Sequence, residues 1–141
     1  MDPRDFQVLA SELVRGSRAS EYRTAVSRAY YAVHNVGFEI LTEFGFNLRK
    51  NFSGHADVWD RLSNSGDSDL EKIGSQLSNL HGQRIHADYR MDKREVESSK
   101  TAQAIVETAR KMIQILDGSR SDTKRNQIIS AIKKWEEKTN Q

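Results

Sequence analysis

Cysteine is absent from this chain. That excludes a disulfide framework, thiolate metal ligands and a cysteine nucleophile, and it accords with a cytoplasmic protein. Proline occurs once, at Pro3, where it suits the first turn of a helix capped by Asp2. No run approaches the roughly 18 apolar residues of a membrane span, so no membrane association is expected. The opening Met1-Asp2-Pro3-Arg4-Asp5 is polar and acidic, unlike the cationic and apolar start of a secretory leader. No glycine-rich loop follows a strand pattern, which leaves out P-loop and dinucleotide folds. There is no Gly-x-Ser-x-Gly elbow either. Histidine is scarce: His81 and His86 stand five apart, and His55 has only Asp57 as a nearby ligand. No metal site and no cofactor are expected from that spacing.

What is present is charge and helical periodicity. The 141 residues suit one domain with a modest core. Charged residues make up 30% and hydrophobic residues 36%, too apolar for a disordered chain. The net charge of +2 is too small to imply nucleic-acid binding by itself. Its distribution is uneven. From Ser119 onward stand the cations Arg120, Lys124, Arg125, Lys133, Lys134 and Lys138 against the acids Asp122, Glu136 and Glu137. A basic tail of this kind is either a solvated helix face or a nucleic-acid surface.

Apolar residues recur at helical spacing throughout, and strand-like alternation does not. Phe6, Leu9, Ala10, Leu13 and Val14 form the first stripe, ended by Gly16. Ser20 is expected to cap the second, through Tyr22, Val26, Ala29, Val33, Gly37, Ile40 and Phe44. Tyr31 and Phe38 lie off that stripe, so this helix is expected to be central or to face a partner. Phe46 to Ser53 reads as a loop, and Val58, Trp59 and Leu62 as a short helix. Asn64 to Ser68 is a break. Leu70, Ile73, Leu77 and Leu80 mark the next helix, extending toward Arg84. Asp92 with Glu95 resembles a capping box opening a helix through Ala102, Ile105, Ala109, Ile113 and Leu116. Ile128, Ile129, Ile132 and Trp135 stripe a final amphipathic helix. The pattern predicts an all-α, up-and-down bundle of four to five helices over residues 1–118. Residues 119–141 are expected to form a basic C-terminal helical extension.

Chemistry concentrates between His81 and Arg90. RNA cleavage without a metal needs a base for the 2′-hydroxyl, an acid for the leaving 5′-oxygen and a cation for the phosphorane. Histidine serves either proton step, and arginine grips phosphate with parallel hydrogen bonds. His81, Arg84 and His86 supply those types, and Tyr89 can stack on a base or donate to a phosphate. The competing reading is structural: Arg84 and Asp88 are four apart and pair across a helical turn. Upstream, Arg28 and His34 are six apart, which leaves them ~120° apart around a regular helix. They are set aside as a catalytic pair, and Arg28 and Tyr31 are expected to support a neighbouring helix or a dimer contact.

Taken in order, Ser27-Arg28-Ala29-Tyr30-Tyr31-Ala32, then Ser53-Gly54-His55, then Arg84-Ile85-His86-Ala87-Asp88-Tyr89 resemble the HEPN family. The resemblance covers roughly residues 5–117. It implies a four- or five-helix bundle that dimerises, in a toxin–antitoxin or defence system. It also implies metal-independent endoribonuclease activity, with a nucleotidyltransferase-type antitoxin or another effector as partner. Arg84 matches the family's signature arginine. The family's Arg-x4–6-His pattern is not met, because its histidine positions hold Tyr89, Arg90 and Met91. Arg84 and His86 are therefore the expected catalytic residues, with His81, Asp88, Tyr89 and Arg90 on the RNA. The alternative is a non-catalytic RNA- or nucleotide-binding module that works with such a partner.

Overall fold

Polar breaks separate six helices in the computed structural model, which describes residues 1–140. These are α1 (Arg4–Leu13), α2 (Ala19–Glu43), α3 (Gly54–Ser63), α4 (Ser68–Tyr89), α5 (Ser99–Gly118) and α6 (Asp122–Thr139). A single 3-10 turn, Glu95–Glu97, precedes α5, and no strand occurs among the described residues.

Local chemistry sets most of the boundaries. The Asp2 carboxylate accepts the Arg4 N–H at 2.9 Å, starting α1 behind Pro3. Asp67 does the same for α4 by accepting from Leu70 N–H at 3.1 Å. Gly45, at φ +96°, ends α2. Around it the Phe46 N–H reaches the Leu41 carbonyl and the Gly45 N–H the Thr42 carbonyl, both at 3.0 Å. That is a Schellman closure, which needs the left-handed backbone glycine adopts freely.

Two expected helix starts move. The second helix begins at Ala19 rather than after Ser20. Glu21 reaches back to accept from the Arg18 N–H at 3.1 Å and the Ser17 N–H at 3.3 Å. Asp92 and Glu95 do not open the long helix. α5 starts at Ser99, where the Ser98 hydroxyl accepts from Thr101 N–H. Tertiary anchoring overrides the local signal there: Val96 is buried, and Glu97 is held by Arg23 at 2.7 Å.

α2 is the central element, packing on α1, α3, α4 and α5. Ala25, Val26, Ala29, Tyr30, Ala32, Val33 and Val36 along it are fully buried. The core continues through Leu62 and Val58 of α3, Ile73 and Leu77 of α4, and Met112 and Leu116 of α5. α6 lies against this body through Ile128 and Ile132, both buried. Trp135 is half-buried, with the Arg61 guanidinium 5.5 Å from its ring centre and Arg61 paired to Glu136 at 2.9 Å. No helix is long and apolar enough to cross a membrane among the described residues.

α3 and α4 approach so closely at Gly74 that a methyl group there would stand 2.8 Å from the Trp59 carbonyl oxygen and the Ser63 nitrogen. Both are backbone atoms with little freedom to retreat. Gly74→Ala is therefore expected to lose about 1–3 kcal/mol of stability through overpacking. Urea titration checks this, and an unchanged midpoint would show that the two helices slide apart freely.

Candidate functional site

α2, α4 and the loop into α3 enclose a cleft of about 670 Å³. α2 contributes Tyr31, His34, Asn35 and Phe38 to its wall, and α4 contributes Arg84 and Tyr89. Arg49 to Phe52 and His55 complete it from the α3 side. Phe52 is 85% exposed and Tyr89 67% exposed, the two large aromatic side chains left open at this rim.

The arginine at the centre is firmly held at one point only. Arg84 Nε donates to Asp88 Oδ2 at 2.9 Å, one helical turn on. Ser27 Oγ donates to that same oxygen at 3.0 Å and in turn accepts from Arg28 Nη2 at 3.2 Å. The Arg84 guanidinium carbon lies 4.9 Å from the Tyr31 ring centre and 5.3 Å from that of Tyr89. Both distances suit a cation over an aromatic face. The side chain is 13% exposed. Its two terminal nitrogens make no hydrogen bond to any described residue, so their donors are open to the cleft.

Beside Arg84 the fold gathers three imidazoles around one buried tyrosine. Tyr30 is fully buried, and its hydroxyl stands 2.6 Å from His55 Nδ1. The His34 ring stacks on Tyr30 with centres 5.8 Å apart and planes 16° apart. His55 lies 4.7 Å from His34 and 4.8 Å from His81, centre to centre. His81 sits behind the cleft wall, 5.2 Å from the Trp59 ring. Burial pushes the Tyr30 phenol up. Burial lowers His34 to about 4, with the neighbouring His55 and His81 adding to the effect. Desolvation also lowers His55, helped by the Arg84 charge. His81 is lowered by burial, then by His55 and Arg84. The three rings are thus held neutral at pH 7, because each added proton would be poorly hydrated and one on His55 or His81 would also face the Arg84 charge. Although the rings are close, no three or more His, Asp or Glu groups converge to hold a metal ion among the described residues.

The residues singled out from sequence fall in different places. Arg84 and Tyr89 line the cleft, Asp88 orients Arg84, and His81 stands behind His55. Tyr31 forms part of the wall, while Arg28 lies between Phe6 and Tyr31 at 4.9 and 5.1 Å from their ring centres. His86 is not on the cleft wall. It is two residues, or ~200°, around α4 from Arg84, and its carbonyl accepts from Arg23 at 2.9 Å. Arg90 is exposed and faces Asp92 at 3.5 Å. His34, His55, Tyr30 and the Arg49–Phe52 loop were not expected as site members. The spacing of Tyr30, Tyr31 and His34 on neighbouring faces of one helix was the available signal for two of them.

Comparisons with family models, with curated proteins and with solved structures return no match for this chain.

Proposed function

We propose that this chain is a HEPN-type protein of a toxin–antitoxin or defence system whose cleft binds an RNA phosphodiester. The observation that carries the reading is the pair of unshared Arg84 nitrogens, opening into the cleft between Tyr31 and Tyr89. Arginine presents phosphate with a rigid fork of donors. Asp88 fixes the far edge of the fork, so little of its geometry is lost on binding. The exposed rings of Phe52 and Tyr89 offer stacking faces beside that phosphate position, with Arg49 and Lys50 adjoining. The motif order described above and the all-helical body support the family reading. A homodimer and a nucleotidyltransferase-type partner are part of the same proposal, by resemblance.

Binding without cutting is the better supported form. His86 is off the cleft, and the neutral imidazoles of His34 and His55 supply no ready acid for a leaving oxygen at pH 7. Arg84→Ala is expected to weaken RNA binding by about 1.5–3 kcal/mol while leaving far-UV circular dichroism unchanged. Unaltered affinity in a folded variant would remove Arg84 from the interface and the proposal with it.

The second reading is a metal-independent endoribonuclease, favoured by the imidazoles of His34 and His55 beside Arg84. A neutral imidazole is competent to take the 2′-hydroxyl proton. RNA incubated in EDTA with wild type, Arg84→Ala, His34→Phe, His55→Asn and His86→Ala separates the two. Cleavage lost in the first three variants and kept in His86→Ala would establish the nuclease. No cleavage beside intact binding would leave the binding module.

A further inference from the structure

We infer that Tyr30 is a positioning residue: its hydroxyl donates to His55 Nδ1 and fixes His55 as the tautomer that carries its proton on Nε2. The assignment follows from counting donors and acceptors. Tyr30 has no solvent exposure, and His55 Nδ1 is its hydroxyl's one hydrogen-bond partner among the described residues. If the imidazole donated instead, the phenolic proton would be buried among the rings of Tyr31, His34 and His81 with nothing to accept it. With the phenol as donor, the phenolic proton and the Nδ1 lone pair satisfy each other. Ionisation of the phenol is no alternative, because burial makes the phenolate costly.

The surroundings hold His55 in that form. Tyr30, Tyr31 and His34 face it from α2, and His81 and Arg84 stand near it from α4. On its own side stand Arg49 and Lys50 and one acid, Asp57, whose two oxygens are committed to Arg49 at 2.9 and 2.6 Å. A proton added on Nδ1 would reverse the Tyr30 bond, strand the phenolic proton without an acceptor and place a second cation beside Arg84. His55 therefore lines the cleft as a neutral N–H donor. It would present that donor to the anion Arg84 grips, a consequence that rests on the phosphate site proposed above. The tautomer itself rests only on the Tyr30–His55 geometry.

Two measurements keep these apart. Long-range nitrogen–proton NMR on uniformly labelled protein reads the imidazole tautomers at pH 7. The expected result is an Nε2–H signature for His55 that persists from pH 8 to pH 6. A mixed or Nδ1–H signature, or an imidazolium at pH 7, would overturn the inference. In Tyr30→Phe, which keeps the ring and removes only the hydroxyl, the signature should become mixed. An unchanged signature there would show that the hydroxyl does not set the tautomer. If that variant does not fold, the wild-type spectra decide alone. The second measurement is the affinity of a fluorescent oligodeoxyuridylate, a phosphodiester without the reactive 2′-hydroxyl. Wild-type affinity should be flat from pH 6 to pH 8, whereas Tyr30→Phe should bind more tightly as the pH falls. A wild-type affinity dropping tenfold or more across that range would mean that a protonated histidine holds the phosphate, and would overturn the donor role. No binding at any pH would remove the phosphate site while the NMR result still judged the tautomer.

Discussion

Arg23→Ala is expected to cost about 3 kcal/mol or more of folding stability, because buried carbonyls that lose their donor cost about 1–3 kcal/mol each. Arg23 is 8% exposed on α2. Its guanidinium reaches Glu97 at 2.7 Å and donates to the carbonyls of His86, Ala87 and Arg90. It also donates to those of Met91 and Lys93. Those carbonyls belong to the last turn of α4 and the loop beyond it, where the helix leaves its final C=O groups without partners. One side chain bonds five carbonyls of this stretch, the helix-terminal ones of Ala87 and Arg90 among them, and ties the loop to the Glu95–Glu97 turn. Alanine would leave these carbonyls without their donor, while the partly exposed Glu97 would keep Arg94 at 3.1 Å. The contrast is Arg110→Ala, whose i,i+3 pair with Glu107 is about half exposed on both sides and is expected to add little to stability, being screened by solvent. Urea denaturation of both variants measures the difference. If Arg23→Ala cost as little as Arg110→Ala, the clamp would not be holding α4 in place. The same clamp bears on the cleft, since Asp88 and Tyr89 sit in the turn that it secures.

The helices were legible because their signals are local. The stripes of α1, α4 and α5, the Asp2 cap and the break at Asn64–Ser68 all act within a few residues of themselves. The start of α5 was not legible in the same way. Asp92 and Glu95 carry a valid capping pattern, but Val96 and Glu97 are drawn into contacts with distant residues, and these outweigh a cap. The candidate site divides along the same line. Arg84, Asp88 and Tyr89 share one helix, so their mutual reach follows from spacing alone. His34, His55 and His81 come from three helices, and their separations of 47 residues or fewer along the chain say nothing of a shared pocket. The Arg28 and His34 divergence around α2 was readable and is what the structure has: Arg28 turns to Phe6 while His34 lines the cleft. Arg23 carried no sequence signal, because its partners are one distant carboxylate, Glu97, and backbone carbonyls whose side chains are irrelevant.

The histidine cluster should make the protein lose stability on mild acidification, before its carboxylates titrate. His34 is held near 4 in the folded state against 6.5 when free, chiefly by burial. A depressed histidine means that the unfolded chain binds the proton first. Stability from this group is therefore intact above about pH 6.5, falls as the pH drops toward 4, and levels off below that. A shift of this size corresponds to about 3 kcal/mol. His55 and His81 are lowered as well and add to the same slope. Carboxylates act in a different window. Asp57, lowered by its hydrogen bond to Arg49, and Glu97, lowered by Arg23, keep their contributions above the free values of 3.8 and 4.5 and lose them only below. A plot of unfolding free energy against pH should thus fall first between 6.5 and 4.5. His34→Phe, which keeps a ring stacked on Tyr30 and cannot take a proton, should flatten that limb and leave the steeper loss below pH 4 in place. A variant with the wild-type slope would mean that His34 is not held neutral by burial. A wild type with no slope above pH 4.5 would mean that the three imidazoles are hydrated rather than packed around Tyr30, and the neutral cleft wall would go with them.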